Sequence, residues 1–332
     1  MPKKLKDTDY LSISTRIRVM ENRLLTRERM ERMLDARTDD EAAKILTECG
    51  YAELGRLTPN ALEEMLSQAR EGTYQDLSDA IPNPELVDVF RIKYDYHNAK
   101  VLLKAEAKGT PSDRLLVRGG RYSPEDLRAG YGESDLSACS ETFRTAVAEA
   151  KDVLAASADP QAADMILDRA YYDEMIAAAQ AAGSDFLLGY VRLAIDAANL
   201  RSAVRAARME RGTEFLNRVL VPGGQVPVEK IAAAAPGELP ALFGGALAEA
   251  AALGAERALP GSGRLTEFER LCDNALMGYL AKARRVPFGE QPVIGYLYAR
   301  ESELTAIRII LSGRMEHLGA DVIRERLRDS YV

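Results

Sequence analysis

Apolar residues near the start of the chain recur at the spacing of an α-helix. Ile13, Ile17, Met20 and Leu24 occupy positions i, i+4, i+7 and i+11, which lie on one face of a helix. Sustained alternation of apolar and polar positions with β-branched residues, which is typical of strands, does not occur. Alanine, leucine, glutamate and arginine dominate the composition. The pattern predicts an all-α fold.

Several helix starts are predicted from capping residues. A hydroxyl followed three residues later by a carboxylate can satisfy backbone N–H groups that the first turn of a helix leaves free. The pairs that fit this pattern are Thr38 with Glu41, Ser123 with Asp126, and Thr266 with Glu269. Each pair is predicted to begin a helix.

One helical segment is written three times. The copies read DYHNAKVLLKAEAKG from Asp95, DAANLRSAVRAARMERG from Asp196 and ELTAIRIILSGRM from Glu303. Each begins with a carboxylate, and five residues later each has a base, which is Lys100, Arg201 or Arg308. The third copy has Ala306 where the others have Asn98 and Asn199, and Ser312 where they have Lys104 and Arg205.

A second repeated segment has a similar distance along the chain between its copies. LLVRGGRYSPEDL from Leu115 matches VLVPGGQVPVEKI from Val219, so that Gly119 aligns with Gly223 and Gly120 with Gly224. Paired glycines ahead of a helix predict a tight turn with positive φ. The distance along the chain from one copy to the next greatly exceeds the roughly 34–47 residues of the repeats in helical-pair solenoids. We therefore predict three helical repeat domains, covering residues 1–110, 111–214 and 215–332.

The repeated charges and glycines allow two interpretations. Each motif carboxylate has a base three or four residues upstream, namely Arg91, Arg192 and Arg300, which indicates local ion pairs on a solvated helix face. Alternatively, the downstream bases Lys100, Arg201 and Arg308 contact a neighbouring domain or a partner. The glycine pairs are likewise either plain turns or equivalent points on one rim of the molecule.

Charge and composition exclude several classes of function. The chain has 44 Lys and Arg against 51 Asp and Glu, a net charge of −7, which disfavours nucleic acid and anionic lipid as partners. The start of the chain is polar, and no apolar stretch is long enough for a membrane span. Three widely spaced cysteines indicate neither a disulfide framework nor a zinc site. A reduced, cytosolic compartment is expected.

Catalytic chemistry is sparse. The two histidines, His97 and His317, lie in different repeats, and no phosphate-binding or dinucleotide-binding glycine motif is present. The sequence therefore predicts a chain that is not an enzyme and binds no cofactor, nucleotide or metal.

The ordered segments of the chain resemble one known family. DYLSISTRIRVMENRLLTRERMERMLDA, ILTECGYAEL, the three repeated helices and the tail IRERLRDSYV are similar, over nearly the whole length, to the C-subunit family of V-type (A-type) ATP synthases, the counterpart of the eukaryotic V-ATPase d subunit. The main departure is Ala306, where many relatives have asparagine.

This resemblance implies an architecture and a role. The family fold is three similar all-α domains around a pseudo-threefold axis, forming a funnel. Its members lie on the cytoplasmic face of the membrane, between the membrane rotor ring (c/K-type subunits) and the central stalk (D/F-type subunits), and couple ATP hydrolysis or synthesis to H⁺ or Na⁺ transport. Two alternatives are a soluble all-α repeat scaffold and an all-α enzyme that uses His97 or His317.

Overall fold

The structure, a computed structural model, describes residues 5–112 and 115–332, and these ranges are helical without any strand. The α-helices within them are α1 (Leu11–Glu21), α2 (Arg27–Asp35), α3 (Asp39–Lys44), α4 (Pro59–Ala80), α5 (Glu85–Lys108), α6 (Pro124–Glu133), α7 (Glu141–Ser157), α8 (Pro160–Ala181), α9 (Asp185–Arg208), α10 (Thr213–Val219), α11 (Val228–Ala233), α12 (Leu239–Leu242), α13 (Ala248–Arg257), α14 (Thr266–Leu280), α15 (Glu290–Met315) and α16 (Ala320–Arg324). Short 3₁₀ turns connect several of them. The predicted fold class is confirmed.

Two of the three predicted helix caps are present. The hydroxyl of Thr38 accepts from the backbone N–H of Glu41, and Ser123 accepts from Asp126. The prediction for Thr266 is wrong, because this residue already belongs to α14 and Leu265 occupies the N-cap without a side-chain hydrogen bond.

The repeated segments form the C-terminal halves of α5, α9 and α15. These helices have 24, 24 and 26 residues. Each buries residues on several sides rather than along one stripe, which is the pattern of a helix enclosed by neighbours. The three long helices therefore form the centre of the molecule.

The three long helices run parallel and meet near their N-terminal ends. Asn83, just before α5, donates to the carbonyl of Ala182, just before α9, over 3.1 Å. Ser184, at the N-cap of α9, donates to the carboxylate of Glu290, the first residue of α15. Both contacts join corresponding ends of successive long helices, which fixes their parallel direction.

Further along, corresponding positions again contact each other. The ring of Phe90 stacks on Tyr190 with centroids 5.6 Å apart, and Tyr190 meets Tyr298 edge-on at 5.6 Å. These residues lie five or six positions before the repeated carboxylate of their own helix. Lys93 pairs with Glu301, and both lie two positions before it. Such contacts between equivalent positions are expected of copies arranged around a common axis.

A separate hydrophobic cluster joins the two ends of the chain. It combines apolar residues from the range 25–66 with others from the range 304–327, among them Met33, Leu66, Ile307 and Leu311, all fully buried. Accordingly, α2, α3 and α4 pack against α15. The chain ends thus share one core.

Packing groups the helices into three units. Unit 1 is α5 with α6–α8, unit 2 is α9 with α10–α14, and unit 3 is α15 and α16 with α1–α4. In each unit the long helix pairs with one partner helix, which is α8, α14 or α4 respectively. Along the chain, α5 and α9 begin their packed units, whereas they lie near the ends of the predicted domains 1–110 and 111–214. The boundaries after residues 110 and 214 stay predictions.

Candidate functional site: loop clamps and axial ion pairs

In unit 1 the repeated helix holds the loop that follows it. The buried carboxylate of Asp95 accepts hydrogen bonds from the backbone N–H groups of Arg121 (2.9 Å) and Tyr122 (3.3 Å) and from Arg121 Nε (2.7 Å). Asn98 exchanges two hydrogen bonds with Val117, from its Nδ2 to the carbonyl (2.9 Å) and from the backbone N–H to its Oδ1 (2.8 Å). We call this arrangement the loop clamp.

Unit 2 repeats the loop clamp. Asp196 accepts from the backbone N–H groups of Gln225 and Val226, each over 3.1 Å. Asn199 exchanges hydrogen bonds of 2.7 and 2.8 Å with Val221. The repeated helix and the repeated glycine loop are therefore the two halves of one contact, because buried backbone groups must find partners.

The glycine pairs are explained by this contact. Gly119 and Gly223 have φ of 109° and 98°, which confirms the predicted turn with positive φ. A Cβ at Gly120 or Gly224 would lie 2.3 or 2.1 Å from the Oδ1 atom of the clamped aspartate. The second glycine of each pair is thus required for the close approach of the backbone to the carboxylate. Whether these turns also line a rim stays a prediction.

In unit 3 the chain start supplies the clamped loop. Glu303 accepts from the backbone N–H of Leu25 (2.8 Å), the hydroxyl of Tyr51 (2.5 Å) and Arg300 Nη1 (2.5 Å). Leu25 lies one residue before Thr26, the N-cap of α2, just as the residues clamped in units 1 and 2 precede their own helices. Ala306 replaces the clamp asparagine and makes no side-chain hydrogen bond.

The structure thereby reveals a third loop repeat that the sequence analysis missed. RLLTRERM from Arg23 aligns with GRYSPEDL from Gly120 and GQVPVEKI from Gly224. The three segments share a glutamate, at positions 28, 125 and 229, and a large apolar residue, Met30, Leu127 or Ile231, which is buried in every copy. The missing glycine pair concealed the match.

The motif carboxylates are buried, so the interpretation of a solvated helix face is wrong for them. Burial raises the pKa of Asp95 to about 6, although the adjacent Arg121 opposes the shift. Burial also raises the pKa of Asp196, opposed by the backbone N–H groups that it accepts from. Of the upstream bases, Arg300 does pair with its motif carboxylate, whereas Arg91 donates to the carbonyl of Gly120. The carboxylates serve to hold backbone.

The downstream bases tie each long helix to its partner helix. The pairs are Lys100 with Asp168 of α8 (2.5 Å), Arg201 with Asp273 of α14 (2.5 Å) and Arg308 with Glu63 of α4 (2.7 Å). One turn further, Lys104 pairs with Asp164 and Arg205 with Glu269, each over 2.7 Å. Each base therefore contacts a helix of its own packed unit. Whether they also contact a partner protein stays a prediction.

The same bases lie on the helix face that points toward the centre. Counted from the motif carboxylate, position −5 in α5 and α15, −6 in α9 and −2 in α5 and α15 make the contacts between long helices. Positions +2, +5 and +9 continue the face of −5 and −2 at spacings of three and four. We call it the axial face. At +2, His97 and Thr305 are exposed and Ala198 is half-buried. The axial face therefore makes contacts between long helices in the N-terminal halves, and in the C-terminal halves it is half-buried with exposed residues at His97 and Thr305.

A buried polar network locks two units together. Glu301 of α15 accepts from the hydroxyl of Tyr74 (2.6 Å) and contacts Lys93 Nζ and the hydroxyl of Tyr94, while Arg70 Nε lies 3.6 Å away. Burial opposes ionisation of Glu301, but Lys93 and Arg70 outweigh it and lower its pKa. The shared hydrogen bonds of Glu301 favour one arrangement of α4, α5 and α15, although the buried Arg70 Nε has no hydrogen-bond partner among the described residues.

The described residues contain no cluster of three or more His, Cys, Asp or Glu able to hold a metal ion, and no helix among them is long and apolar enough to span a bilayer. His97 contacts the carbonyl of Leu115, and His317, two residues after the end of α15, has a φ of 54°. What the repeated residues provide is a set of rigid contacts between helices.

These features define an all-α protein in which three long helices share one pattern of contacts. The chain belongs to the ATP synthase (C/AC39) subunit family, whose model matches residues 13–326. It is 26% identical to the C subunit of the V-type sodium ATPase of Enterococcus hirae, over 97% of this chain and 99% of that protein. It is 24% identical to the C subunit of the V-type ATP synthase of Thermus thermophilus (94% and 95%) and 27% identical to the C subunit of the A-type ATP synthase of Haloquadratum walsbyi (94% and 96%). The chain is a non-catalytic subunit of the V/A-type ATP synthase class.

Proposed function

We propose that this chain is the central-rotor coupling subunit of a V/A-type rotary ATPase. It links the central stalk to the membrane rotor ring, so that ATP hydrolysis or synthesis is coupled to transport of H⁺ or Na⁺ across the membrane. Family membership supports the assignment to this kind of complex. The proposal adds the two partners and the direction in which force passes between them.

The observation that carries the proposal is the change along the axial face. The long helices touch through this face up to Lys93 and Glu301, and beyond that point the same face carries the half-buried bases Lys100, Arg201 and Arg308. In the proposed funnel around a pseudo-threefold axis, the three long helices meet at one end and separate toward the other. In this arrangement the central stalk enters the open, C-terminal end, and the closed end faces the rotor ring.

The contacts within the chain suit the transmission of torque. The Glu301 network joins α15 and α4 of unit 3 to α5 of unit 1, and ion pairs join each long helix to its partner helix. Unit 3 also ties together the two chain ends. A body closed in this way resists shear between its units better than separate domains on linkers.

The same proposal fixes how the chain reaches the membrane. Its net charge of −7 disfavours adsorption to anionic lipid, so attachment runs through protein partners on the cytoplasmic face of the membrane. Each partner contact should bury at least the roughly 1,200–2,000 Å² of a stable interface. The ion that crosses is selected in the ring.

The proposal is tested in membranes that lack the chain. Their ATP-driven ion uptake should be absent, and addition of the purified chain should restore uptake together with co-purification of the ring and the stalk. Ion uptake that remains at wild-type levels without the chain would contradict the coupling role. Recovery of a tagged chain from the soluble fraction, without ring or stalk, would instead support the repeat scaffold.

A further inference from the structure

The segment of residues 328–332, which follows α16, crosses from unit 3 to unit 2. Arg328 Nε pairs with the carboxylate of Asp273 in α14 over 2.8 Å, and the backbone N–H of Asp329 donates to Asn274 Oδ1 over 3.0 Å. We call this segment the strap. Its other end is anchored by Tyr331, which is 4% exposed and accepts through its carbonyl from Arg284 Nη1, in the connection between α14 and α15, over 3.0 Å.

In units 1 and 2 the clamped loop itself makes the contact with the preceding unit. In unit 1, Arg70 Nη1 of α4, which belongs to unit 3, donates to the carbonyl of Arg118 over 3.1 Å. In unit 2, Arg169 Nη2 of α8, which belongs to unit 1, donates to the carbonyl of Leu220 over 3.3 Å. Each of these loops therefore packs on the partner helix of the preceding unit.

In unit 3 the strap takes the place of the loop in this contact. Arg169 directly follows the carboxylate of α8 that pairs with its own long helix, and Asn274 has the same position in α14. Arg169 binds loop backbone, whereas Asn274 binds strap backbone. The strap also lines a small cavity together with Glu303 and Ala306, which are the clamp positions of α15.

The three boundaries between units differ in what else holds them. Between units 3 and 1, the Glu301 network joins α15 and α4 to α5. Between units 1 and 2, α8 packs on α9 more extensively than α14 packs on α15. Between units 2 and 3 the long helices meet through Tyr190 and Tyr298, and the strap adds an ion pair further along. Loss of the strap should therefore weaken this boundary most.

We infer that the strap is a releasable closure between units 2 and 3, and that the molecule opens along this boundary when the strap is released. In units 1 and 2 the loop cannot leave the preceding unit without breaking its clamp. The strap is joined to unit 3 through α16, and its ion pair is partly exposed, at 28% for Arg328 and 34% for Asp273. Solvent weakens such a pair, and weakly held segments open before the rest of a fold. This opening is a property of the chain itself and requires neither ring nor stalk.

The test removes the strap by ending the chain after Leu327, which keeps that buried residue in its cluster. Spin labels carried by an unnatural amino acid are placed in pairs at His97, Ala198 and Thr305, one position in each unit, and their separation is measured by pulsed electron paramagnetic resonance. We expect the distance between positions 198 and 305 to lengthen and its distribution to broaden. The distance between positions 97 and 198, across the boundary of units 1 and 2, should stay as in the full chain.

Point variants of the full chain carry the test even if the shortened chain does not fold. Tyr331→Ala removes the anchor and should lengthen the same distance, and Arg328→Gln should do so to a smaller extent. Arg326→Gln makes the same change of charge at an exposed side chain two residues earlier and is the matched control, which should leave every distance unchanged.

Two results would overturn the role of the strap. One is an unchanged distance between positions 198 and 305 in Tyr331→Ala and in the shortened chain. The other is an equal lengthening of all three distances, because the strap would then stabilise the fold in general and would not close one boundary.

Discussion

Units 2 and 3 build the same loop clamp from different parts of the chain. In unit 2, Asp196 and Asn199 hold the loop that follows their own helix, and Gly224 lets the backbone approach the carboxylate. In unit 3 the longer Glu303 reaches the backbone of Leu25, which lies 278 residues away in the sequence. The three-dimensional contact is therefore the same in both units, although the residues that make it differ with the segment that is held.

This difference arises because unit 3 is built from two segments that are far apart in the sequence, whereas units 1 and 2 are each built from one continuous segment. The chain passes from unit 3 to unit 1 between α4 and α5, from unit 1 to unit 2 between α8 and α9, and from unit 2 to unit 3 between α14 and α15. Each passage enters the next unit through its long helix. Unit 3 must then be completed without a covalent connection, so its two halves depend on the shared hydrophobic cluster and on Glu303.

The largest expected effect comes from removing one half of unit 3. A chain that ends before Glu303 loses Leu304, Ile307 and Leu311, each at most 1% exposed, and burial of one such side chain is worth roughly 1.5–3 kcal/mol. We expect amide exchange to rise sharply in α4 while α8 and α9 stay protected, as measured by hydrogen-exchange mass spectrometry. Equal protection of α4 in the shortened chain would show that the N-terminal segment folds alone.

A methyl group at the clamp of unit 2 should have the next largest effect. Gly224→Ala places a Cβ about 2.1 Å from Asp196 Oδ1, and overpacking of a tight site costs about 1–3 kcal/mol. The free energy of unfolding, obtained by denaturant titration, should fall by an amount near the upper end of that range. Arg23→Ala, at the corresponding position of unit 3, is the control and should change it by less than about 0.5 kcal/mol.

Loss of the clamp asparagine should have an effect of similar size. Asn199→Ala leaves the N–H and C=O of the buried Val221 without partners, and since each unsatisfied buried group costs about 1–3 kcal/mol, the free energy of unfolding should fall by at least that amount. Ala306→Asn should not stabilise unit 3, because its loop presents no such backbone pair. An equal gain in stability from Ala306→Asn would show that unit 3 retains the original clamp geometry.

Some of these features could be predicted from the sequence and others could not. Helical periodicity and two independent repeats are enough to predict the all-α fold and the long helices. The third loop repeat is concealed because Asn22 and Arg23 stand where the other loops have glycines. The partners of Lys100, Arg201 and Arg308 could not be predicted because they depend on which helices pack together. Periodicity indicates that a helix has a buried face, but it does not identify the neighbour.

The buried carboxylate of unit 1 should make stability depend on pH. The pKa of Asp95 is about 6 in the folded chain, above the roughly 3.9 of an unfolded chain, so the folded state binds the extra proton between these values. The resulting stabilisation is complete below the unfolded pKa and is lost as the pH rises through 6. Relative to Asp95→Asn, the wild type should therefore lose about 1 kcal/mol between pH 5 and pH 7. A difference that does not change with pH would contradict this ionisation.

The smallest effect is expected at the outer ion pairs, which are Lys104 with Asp164 in unit 1 and Arg205 with Glu269 in unit 2. Unit 3 has Ser312 at the corresponding position. Arg205→Ser copies the residue of unit 3 into unit 2, and because the arginine side chain is 57% exposed, solvent screens its pairing with Glu269. Exposed pairs contribute about 0.2–1 kcal/mol, so the free energy of unfolding should fall by no more than that, and by less in high salt. A loss well above 1 kcal/mol would mean that the outer pairs maintain the fold. A small loss would agree with the absence of such a pair at Ser312 of unit 3.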